Sequence, residues 1–266
     1  MKLVVQGREA YAYTGGKPFD PALPCVVFIH GALNDHGVWT LLARWCANHG
    51  HAVLAVDLPG HMRSAGPALA SIEAMADWIL ALLDAAGVQQ AALAGHSLGS
   101  LVALEAAARA PERATRLVML GSCYPMAVPK ALLELSLADP LAAIDRVVLF
   151  SHSTLAAKPS YPGPGVWLRG AARALGRQVL RHQGDERLFH TDFAACDRYA
   201  GGLEAAARVR CPAHLILARD DQMTPTRAAT DFAAALKARV HLVTSGHNLM
   251  QECPEGVLAA LRVALA

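Results

Sequence analysis

Short apolar runs alternate with amphipathic stretches along most of this chain. The runs Cys25–Ile29 (CVVFI) and Ala52–Val56 (AVLAV) are continuous, which is typical of strands buried on both faces of a parallel sheet. Similar runs predict strands at 90–94, 116–120, Ala213–Ala218 and 240–243, after an opening hairpin at 3–5 and 10–13. Helical periodicity is found between them, at 38–47, 71–86, Leu98–Arg109, 226–236 and Pro254–Leu265. Strands that alternate with helices predict an α/β domain with a mostly parallel sheet.

One part of the chain breaks this alternation. Residues 122–209 contain helix-like stretches, a Pro/Gly-rich break at 158–165 and one apolar run at 146–150 that could be strand or helix. A connection of this length is too long for a plain loop. We therefore predict a core domain of residues 1–121 and 210–266, with residues 122–209 inserted as a helical cap over the carboxyl edge of the sheet. Apolar cap residues such as Met126, Phe150 and Trp167 are candidates for pocket lining, although most must form the core of the cap itself.

The segment 95–99 (GHSLG) places one serine between two glycines, directly after an apolar run and directly before a helical one. This pattern is typical of a nucleophile elbow, a tight strand-to-helix turn that exposes a serine hydroxyl at the carboxyl end of a sheet. Glycines suit the flanking positions because a Cβ there would collide with neighbouring elements. Ser97 is therefore the candidate nucleophile.

A serine hydroxyl is a weak nucleophile near neutral pH. It needs a histidine to accept its proton and an acid to orient that histidine. On an α/β sheet the expected chain order is serine, acid, histidine, each after a strand. Asp220 and Asp221 both follow the predicted strand Ala213–Ala218, and His247 follows the strand at 240–243. The order fits, and either carboxylate could be the acid.

Five motifs in this order resemble the α/β-hydrolase superfamily over nearly the whole chain. They are HGA at 30–32, DLPGHMRS at 57–64, the serine segment, Asp221 with Pro225, and Gly246-His247 followed by Glu252 and Pro254. The resemblance implies a mostly parallel eight-stranded sheet with helices on both faces and an inserted helical cap.

Carried over position by position, the resemblance implies Ser97 as nucleophile, His247 as general base and later general acid, and Asp221 as its orienting acid. Relatives usually have Gly-x-x-Asp before a later proline. The segment 218–221 (ARDD) matches this spacing with alanine in place of glycine, which favours Asp221 over Asp220.

The resemblance also implies an oxyanion hole made of the backbone N–H groups of Ala32 and Leu98, which would stabilise the negative charge of an acyl-transfer transition state. Met62 stands where relatives commonly have a second glycine, so it must carry strain or redirect the loop if that glycine has a positive φ. Asp57 is expected to stabilise a turn. His96 is expected to pack between the sheet and the following helix.

Composition narrows the class of protein. Apolar residues make up 54% of the chain and the net charge is +2 without blocks of like charge, so we predict an ordered protein with no nucleic-acid or membrane partner. The N-terminus lacks the apolar core of a signal peptide. Six scattered cysteines without a Cys-x-x-Cys pair indicate reduced thiols and a cytoplasmic location. Twelve histidines include one close pair, His49 and His51, and no metal-ligand pattern, so neither a metal nor an organic cofactor is predicted.

Together these residues predict a serine hydrolase that cleaves a small to medium carboxylic ester of an apolar acyl substrate through an acyl-enzyme. The same apparatus can serve thioesterases, amidases, carbon–carbon bond hydrolases and cofactor-free haloperoxidases (perhydrolases). The segment 30–34 (HGALN) lacks the Gly-Pro-Gly of many carbon–carbon hydrolases, and Ser97 argues against enzymes with an aspartate nucleophile. A non-catalytic ligand-binding protein on the same fold is the alternative from a different class. The sequence does not indicate the acyl-chain length or the oligomeric state.

Overall fold

The computed structural model describes residues 1–153, 167–182, 184 and 187–266. Within these residues the chain forms eight strands and eleven α-helices. The strands are β1 (Lys2–Val5), β2 (Arg8–Tyr13), β3 (Cys25–Ile29), β4 (Ala52–Val56), β5 (Ala91–His96), β6 (Ala114–Leu120), β7 (Ala213–Ala218) and β8 (Arg239–Val243). The helices are α1 (Thr40–Asn48), α2 (Ile72–Ala85), α3 (Leu98–Arg109), α4 (Lys130–Ala138), α5 (Pro140–Ser151), α6 (Leu168–His182), α7 (Leu188–Arg198), α8 (Gly202–Arg208), α9 (Thr230–Ala235), α10 (Leu249–Glu252) and α11 (Pro254–Leu265).

The eight strands of the described chain form one sheet in the order β1-β2-β4-β3-β5-β6-β7-β8. The pairs β1–β2 and β2–β4 are antiparallel, and the other neighbours are parallel. The predicted fold class, a mostly parallel eight-stranded α/β sheet, is confirmed. Because β3 to β8 run in the same direction, the loops that follow them meet at one edge of the sheet.

The sheet is covered by helices on both faces. Every residue of β3, β4, β5 and β7 is buried, as their continuous apolar runs predict. On one face α2 and α3 supply core residues such as Ile79 and Leu101, and on the other α1 and α11 supply Leu42 and Leu261. Full burial of one such side chain contributes about 1.5 to 3 kcal/mol, so these layers fix the sheet that carries the site.

Helix boundaries follow local signals in the sequence. Ser71 caps α2 by accepting a hydrogen bond from Ala74 N (3.2 Å), and Gly87 follows the helix with a φ of 70°. The predicted helices at 38–47 and 226–236 each begin with a 3₁₀ turn, at His36–Trp39 and Thr226–Ala229, before the α-helix starts.

Five helices of the described chain, α4 to α8, lie between β6 and β7. The ambiguous run at 146–150 is helical, within α5, whose start is capped by Asp139 accepting from Ala142 N (3.0 Å). Helices α4 to α7 share a buried cluster that includes Ile144 and Phe189 and extends to Leu33 of the loop after β3. The insertion therefore packs directly on the carboxyl edge of the sheet. The predicted Pro/Gly-rich break at 158–165 lies outside the described residues.

All six cysteines are free thiols in the structure. Burial raises the pKa of Cys25 and Cys46 to about 12, so both stay protonated near neutral pH. In the part of the chain that the structure describes, no helix combines the length and the hydropathy needed to cross a bilayer.

Candidate active site

Ser97 lies in the turn between β5 and α3, at the carboxyl edge of the sheet. Its φ of 53° and ψ of −121° define a conformation that is unfavourable for residues other than glycine. Two backbone hydrogen bonds hold it, from Ser97 N to Leu120 O (2.9 Å) and from Ser100 N to Ser97 O (2.8 Å). A Cβ on Gly95 would overlap the backbone of Gly99, so this close strand-to-helix crossing requires glycine. The turn leaves the Ser97 side chain partly exposed above the sheet.

The loops after β7 and β8 bring one carboxylate and one imidazole together. Asp221 Oδ2 accepts from His247 Nδ1 (2.9 Å) and from Thr224 Oγ1 (2.8 Å). Asp221 Oδ1 accepts from the backbone N–H groups of Met223 and Thr224, both at 2.8 Å. The side chain of Asp220 is exposed. Of the two candidate acids, the structure places Asp221 against the histidine.

The environment of Asp221 keeps its carboxyl ionised. Burial alone would raise its pKa, but the neighbouring His247 and the hydrogen bonds from Thr224 outweigh burial and hold the pKa below its ordinary value. A buried carboxylate therefore faces Nδ1 of His247 at neutral pH. This arrangement stabilises an imidazolium and fixes the tautomer that leaves Nε2 free to accept a proton.

Two further side chains hold the loop that carries His247. His96 Nε2 donates to His247 O (2.9 Å), and Glu252 Oε2 accepts from Gly246 N (3.2 Å) and from Ser153 Oγ (2.9 Å). Burial, with a smaller effect from His247, lowers the pKa of His96 to about 3, so the His96 ring is a neutral donor. His96 thus packs below the site, as the sequence predicts, and positions His247 through its carbonyl group.

The loop after β3 places Ala32 beside Ser97. Gly31 O accepts from Asn34 N (3.3 Å) and from His30 Nδ1 (2.8 Å), and Ala32 O accepts from Asn34 Nδ2 (3.1 Å). These bonds occupy the carbonyl groups of the loop, whereas Ala32 N has no acceptor among the described residues. Leu98 is the first residue of α3, so its N–H has no acceptor within the helix. Both predicted oxyanion donors thus adjoin Ser97.

In the neighbouring loop after β4, the backbone has a positive φ at the position where relatives commonly have a glycine. Met62 has a φ of 37°, and its side chain is buried (8% exposed) in the cluster shared with the inserted helices. Asp57 is fully buried and accepts from His36 N (2.8 Å), His36 Nδ1 (2.7 Å) and Arg63 N (3.2 Å). Asp57 therefore organises its own loop. Met62 carries backbone strain that its packing offsets.

Asp35, His36 and Asp57 form the one group of potential metal ligands in the described chain, with ligand atoms within 4.8 Å of one another. Asp57 accepts the three hydrogen bonds above, and Asp35 Oδ1 accepts from Gly37 N (2.8 Å). Internal hydrogen bonds account for this arrangement.

Two cavities meet at Ser97. The larger has a volume of about 340 Å³ and the smaller about 70 Å³. Both are lined by Ala32, Ser97, Val147, Phe193, Met223 and His247. The larger cavity is mostly apolar, with Met126, Val128, Leu132 and Phe150 in its wall and Arg146 also lining it. Met126 and Phe150, two of the pocket-lining candidates from the sequence, thus line the larger cavity. The third candidate, Trp167, is 63% exposed.

Several residues of the site have no signal in the sequence that points to them. Thr224 contacts both Asp221 and His247, at 2.8 Å and 3.3 Å, and its only signal is its place in the loop after β7. Asp192 reaches the loop after β3 from α7. Such contacts join distant parts of the chain and depend on the packing of the insertion.

The sheet order, the serine turn after β5 and the acid and histidine loops after β7 and β8 define the α/β-hydrolase fold. The chain belongs to this family, because a family model described as alpha/beta hydrolase fold matches residues 24–252.

Relatives and solved structures agree with this assignment. The putative carbamate hydrolase RutD of Klebsiella pneumoniae (strain 342) is 28% identical over 239 residues, which cover 85% of each chain. The enol-lactonase of Burkholderia xenovorans superposes with a TM-score of 0.84 at 20% identity, over 100% of this chain and 99% of that one. An esterase of Exiguobacterium antarcticum has a TM-score of 0.83 at 16% identity, over 100% and 98% of the two chains. At such identities the superpositions show a shared fold alone.

Proposed function

We propose that this α/β hydrolase is a serine hydrolase that cleaves small to medium carboxylic esters through an acyl-enzyme. The observation that carries the proposal is the buried His247–Asp221 pair, 2.9 Å apart, beside the two cavities that Ser97 also lines. A serine, an ionised acid and an imidazole with a fixed tautomer are the groups that acyl transfer requires.

In the first half of the reaction, Ser97 Oγ attacks the ester carbonyl carbon and its proton passes to His247 Nε2. The carbonyl oxygen becomes an oxyanion that accepts hydrogen bonds from the N–H groups of Ala32 and Leu98. Collapse of the tetrahedral intermediate breaks the ester C–O bond, and His247 gives its proton to the departing alkoxide. The alcohol leaves, and the acyl group remains bonded to Ser97.

In the second half, His247 takes a proton from a water molecule, which attacks the acyl-enzyme carbonyl. The second tetrahedral intermediate uses the same two N–H groups. Its collapse releases the carboxylic acid and returns the proton from His247 to Ser97 Oγ. Asp221 stays ionised throughout and stabilises each imidazolium; a single oxyanion donor is worth about 3 to 4 kcal/mol in such reactions.

The two cavities support a division of the substrate at Ser97. The larger, apolar cavity accepts the longer group and the smaller cavity the shorter one. Each buried CH₂ contributes about 0.8 kcal/mol, which corresponds to roughly a fourfold rise in kcat/KM per carbon. We expect kcat/KM for p-nitrophenyl esters to rise with acyl length until the cavity is filled and then to fall.

Ser97→Ala tests the nucleophile. We expect the variant to fold and its kcat on p-nitrophenyl acetate and butyrate to fall at least 1,000-fold. We also expect that a fluorophosphonate probe no longer labels it covalently. Ser136→Ala is the matched control, because Ser136 is a buried serine whose hydroxyl donates to Leu133 O (2.6 Å) and which lines neither of the two cavities. Full activity of Ser97→Ala would refute the proposal. Wild-type protein that is neither labelled nor active would instead favour a ligand-binding role.

Carbamates are the second candidate class, because a relative that matches 85% of this chain is a putative carbamate hydrolase. The same Ser97 attack applies to a carbamate carbonyl, with the amine or alcohol as leaving group. A panel that pairs esters, thioesters, amides and carbamates of equal acyl size separates these candidates by kcat/KM.

We also propose that α4 to α8 act as the cap predicted for residues 122–209, separate from the core of 1–121 and 210–266. The contribution of α5 and α7 to both cavities, of α4 to the larger and of α6 to the smaller supports this role. The six free thiols support the proposed cytoplasmic location.

A further inference from the structure

A carboxylate of the inserted helices connects two loops beside the site. Asp192, on α7, is fully buried, and its Oδ2 accepts from Leu33 N (2.8 Å) and from His61 Nε2 (2.9 Å). Leu33 belongs to the loop after β3, and His61 to the loop after β4. One oxygen atom thus joins three segments that are distant in the sequence.

Leu33 directly follows Ala32, whose N–H is the proposed oxyanion donor. Its φ of 53° is a conformation that a leucine adopts only when surrounding contacts hold it there. Because Asp192 accepts from Leu33 N, it fixes the plane of the peptide between Ala32 and Leu33. That plane constrains ψ of Ala32, and hence the direction of the adjacent peptide that carries the Ala32 N–H.

The hydrogen bonds of His61 require both of its ring nitrogens to carry protons. Nδ1 lies 3.2 Å from Pro59 O and Nε2 lies 2.9 Å from the Asp192 carboxylate, and both partners are acceptors. His61 is therefore an imidazolium, paired with Asp192. Burial alone would lower the pKa of His61, but the charge and hydrogen bond of Asp192 outweigh burial and raise it.

The adjacent His30 is neutral by the same criterion. Its Nδ1 donates to Gly31 O (2.8 Å), and its Nε2 accepts from Leu58 N (3.0 Å). Burial, with repulsion from His61 whose ring centroid is 4.8 Å away, lowers the pKa of His30 to about 4. The positive charge on this side of the loop is therefore on His61, next to Asp192.

We propose that Asp192 is a positioning residue for the oxyanion hole, which it orients through Leu33 N, and that cationic His61 holds the Asp192 carboxylate in place. Asp192 Oδ1 is buried and has no hydrogen-bond partner among the described residues. A buried carboxylate that is incompletely paired contributes little to the free energy of folding. Its presence here agrees with a role in the geometry of the loop. The inference rests on the proposed function, because the oxyanion hole acts in that reaction.

Asp192→Asn tests the positioning role, with Asp197→Asn as matched control. Asp197 lies on the same helix and also accepts from a backbone N–H, that of Val128 (2.9 Å), which lines the larger cavity and is not part of the oxyanion loop. For Asp192→Asn we expect kcat on p-nitrophenyl butyrate to fall 10- to 100-fold with KM changed less than threefold. This loss is below the 100- to 1,000-fold typical of removing a donor outright. Asp197→Asn should stay within twofold of wild type.

Inhibition by a trifluoromethyl ketone separates positioning from a general loss of structure. The ketone forms an oxyanion at Ser97, so its Ki should rise by the same factor as kcat/KM falls in Asp192→Asn. An unchanged kcat in this variant, or an equal loss in Asp197→Asn, would overturn the proposal.

Nitrogen NMR of the wild type, with ¹⁵N in the histidine rings, needs no variant to fold. We expect two protonated nitrogens on His61 at pH 7.5, and a neutral ring would overturn the proposed ion pair. Wild-type protein that has a cationic His61 but neither hydrolyses the substrate panel nor reacts at Ser97 would refute the proposed function, and the positioning role with it. Activity in the wild type with no effect of Asp192→Asn would refute the positioning role alone.

Discussion

Asp221→Asn should disable the proposed base while leaving the two backbone hydrogen bonds to this side chain intact. The amide oxygen can keep the two bonds from Met223 N and Thr224 N, each 2.8 Å long. The amide nitrogen then replaces Oδ2, which accepts from His247 Nδ1 and Thr224 Oγ1. Because an NH₂ group cannot accept, His247 must move its proton to Nε2. Nε2 is the atom that has to receive the proton of Ser97.

The size of the effect follows from the contact that is lost. Two opposite charges about 4 Å apart interact by about 4 kcal/mol at an effective dielectric constant near 20. A hydrogen bond to a charged group adds about 1.5 to 3 kcal/mol in the net balance. A transition state that loses about 5.5 to 7 kcal/mol slows by roughly 10⁴ to 10⁵ at 1.36 kcal/mol per tenfold.

The assay is kcat on p-nitrophenyl acetate near pH 8, with circular dichroism and thermal unfolding as checks of the fold. Asp220→Asn is the matched control, since it removes the same charge from the neighbouring exposed position. We expect Asp220→Asn to keep at least half of the wild-type kcat. If Asp221→Asn retained more than a tenth of the activity, or if Asp220→Asn were the more impaired variant, the assignment of the acid would be wrong.

Three further changes test the turn, the strained loop and the larger cavity. Gly95→Ala puts a methyl group into the Gly99 backbone, and we expect little folded protein in expression trials; a soluble variant of wild-type melting temperature would contradict the close crossing. Met62→Gly relieves a positive φ worth about 1 kcal/mol but removes a buried side chain worth about 2 to 5 kcal/mol. Urea unfolding should therefore show a net loss of about 1 to 4 kcal/mol in the free energy of unfolding, and a gain would contradict the packing argument. Ala131→Trp narrows the larger cavity, so the preferred acyl chain in a p-nitrophenyl ester series should become shorter. The kcat on p-nitrophenyl acetate should stay within threefold of the wild type. An unchanged chain-length preference would show that the acyl group binds elsewhere.

The sheet and the proposed nucleophile could be predicted from the sequence because their signals are local. The strand Cys25–Ile29 consists of five consecutive apolar residues. It can be identified without information on the strands beside it in the sheet. Ser97 likewise depends on a turn whose requirement for glycine is fulfilled within five residues. The helix α2 was marked at both ends, by Ser71 and by Gly87.

Contacts between distant segments could not be predicted in this way. The carboxylate of Asp192 reaches Leu33 across 159 positions, and His96 reaches His247 across 151. Neither pair has a spacing or composition that distinguishes it from ordinary buried residues. The run at 146–150 was undecided between strand and helix, and its place in α5 depends on Asp139 and Pro140 at the start of that helix. The residues that shape the cavities therefore needed the tertiary structure.

The insertion leaves the sheet after β6 and returns at β7, and these two strands are hydrogen-bonded neighbours. The segment between them can therefore vary in length and sequence without a change in strand order. The walls of the larger cavity can thus diverge among proteins that descend from one ancestor. Helices α5 and α7 are exceptions, since Ser151 O at the end of α5 accepts from Asn248 N (2.9 Å) next to His247, and Asp192 of α7 binds the loop after β3. Grafting a foreign cap to change specificity should succeed more often when α5 and α7 are retained and only α4 is exchanged.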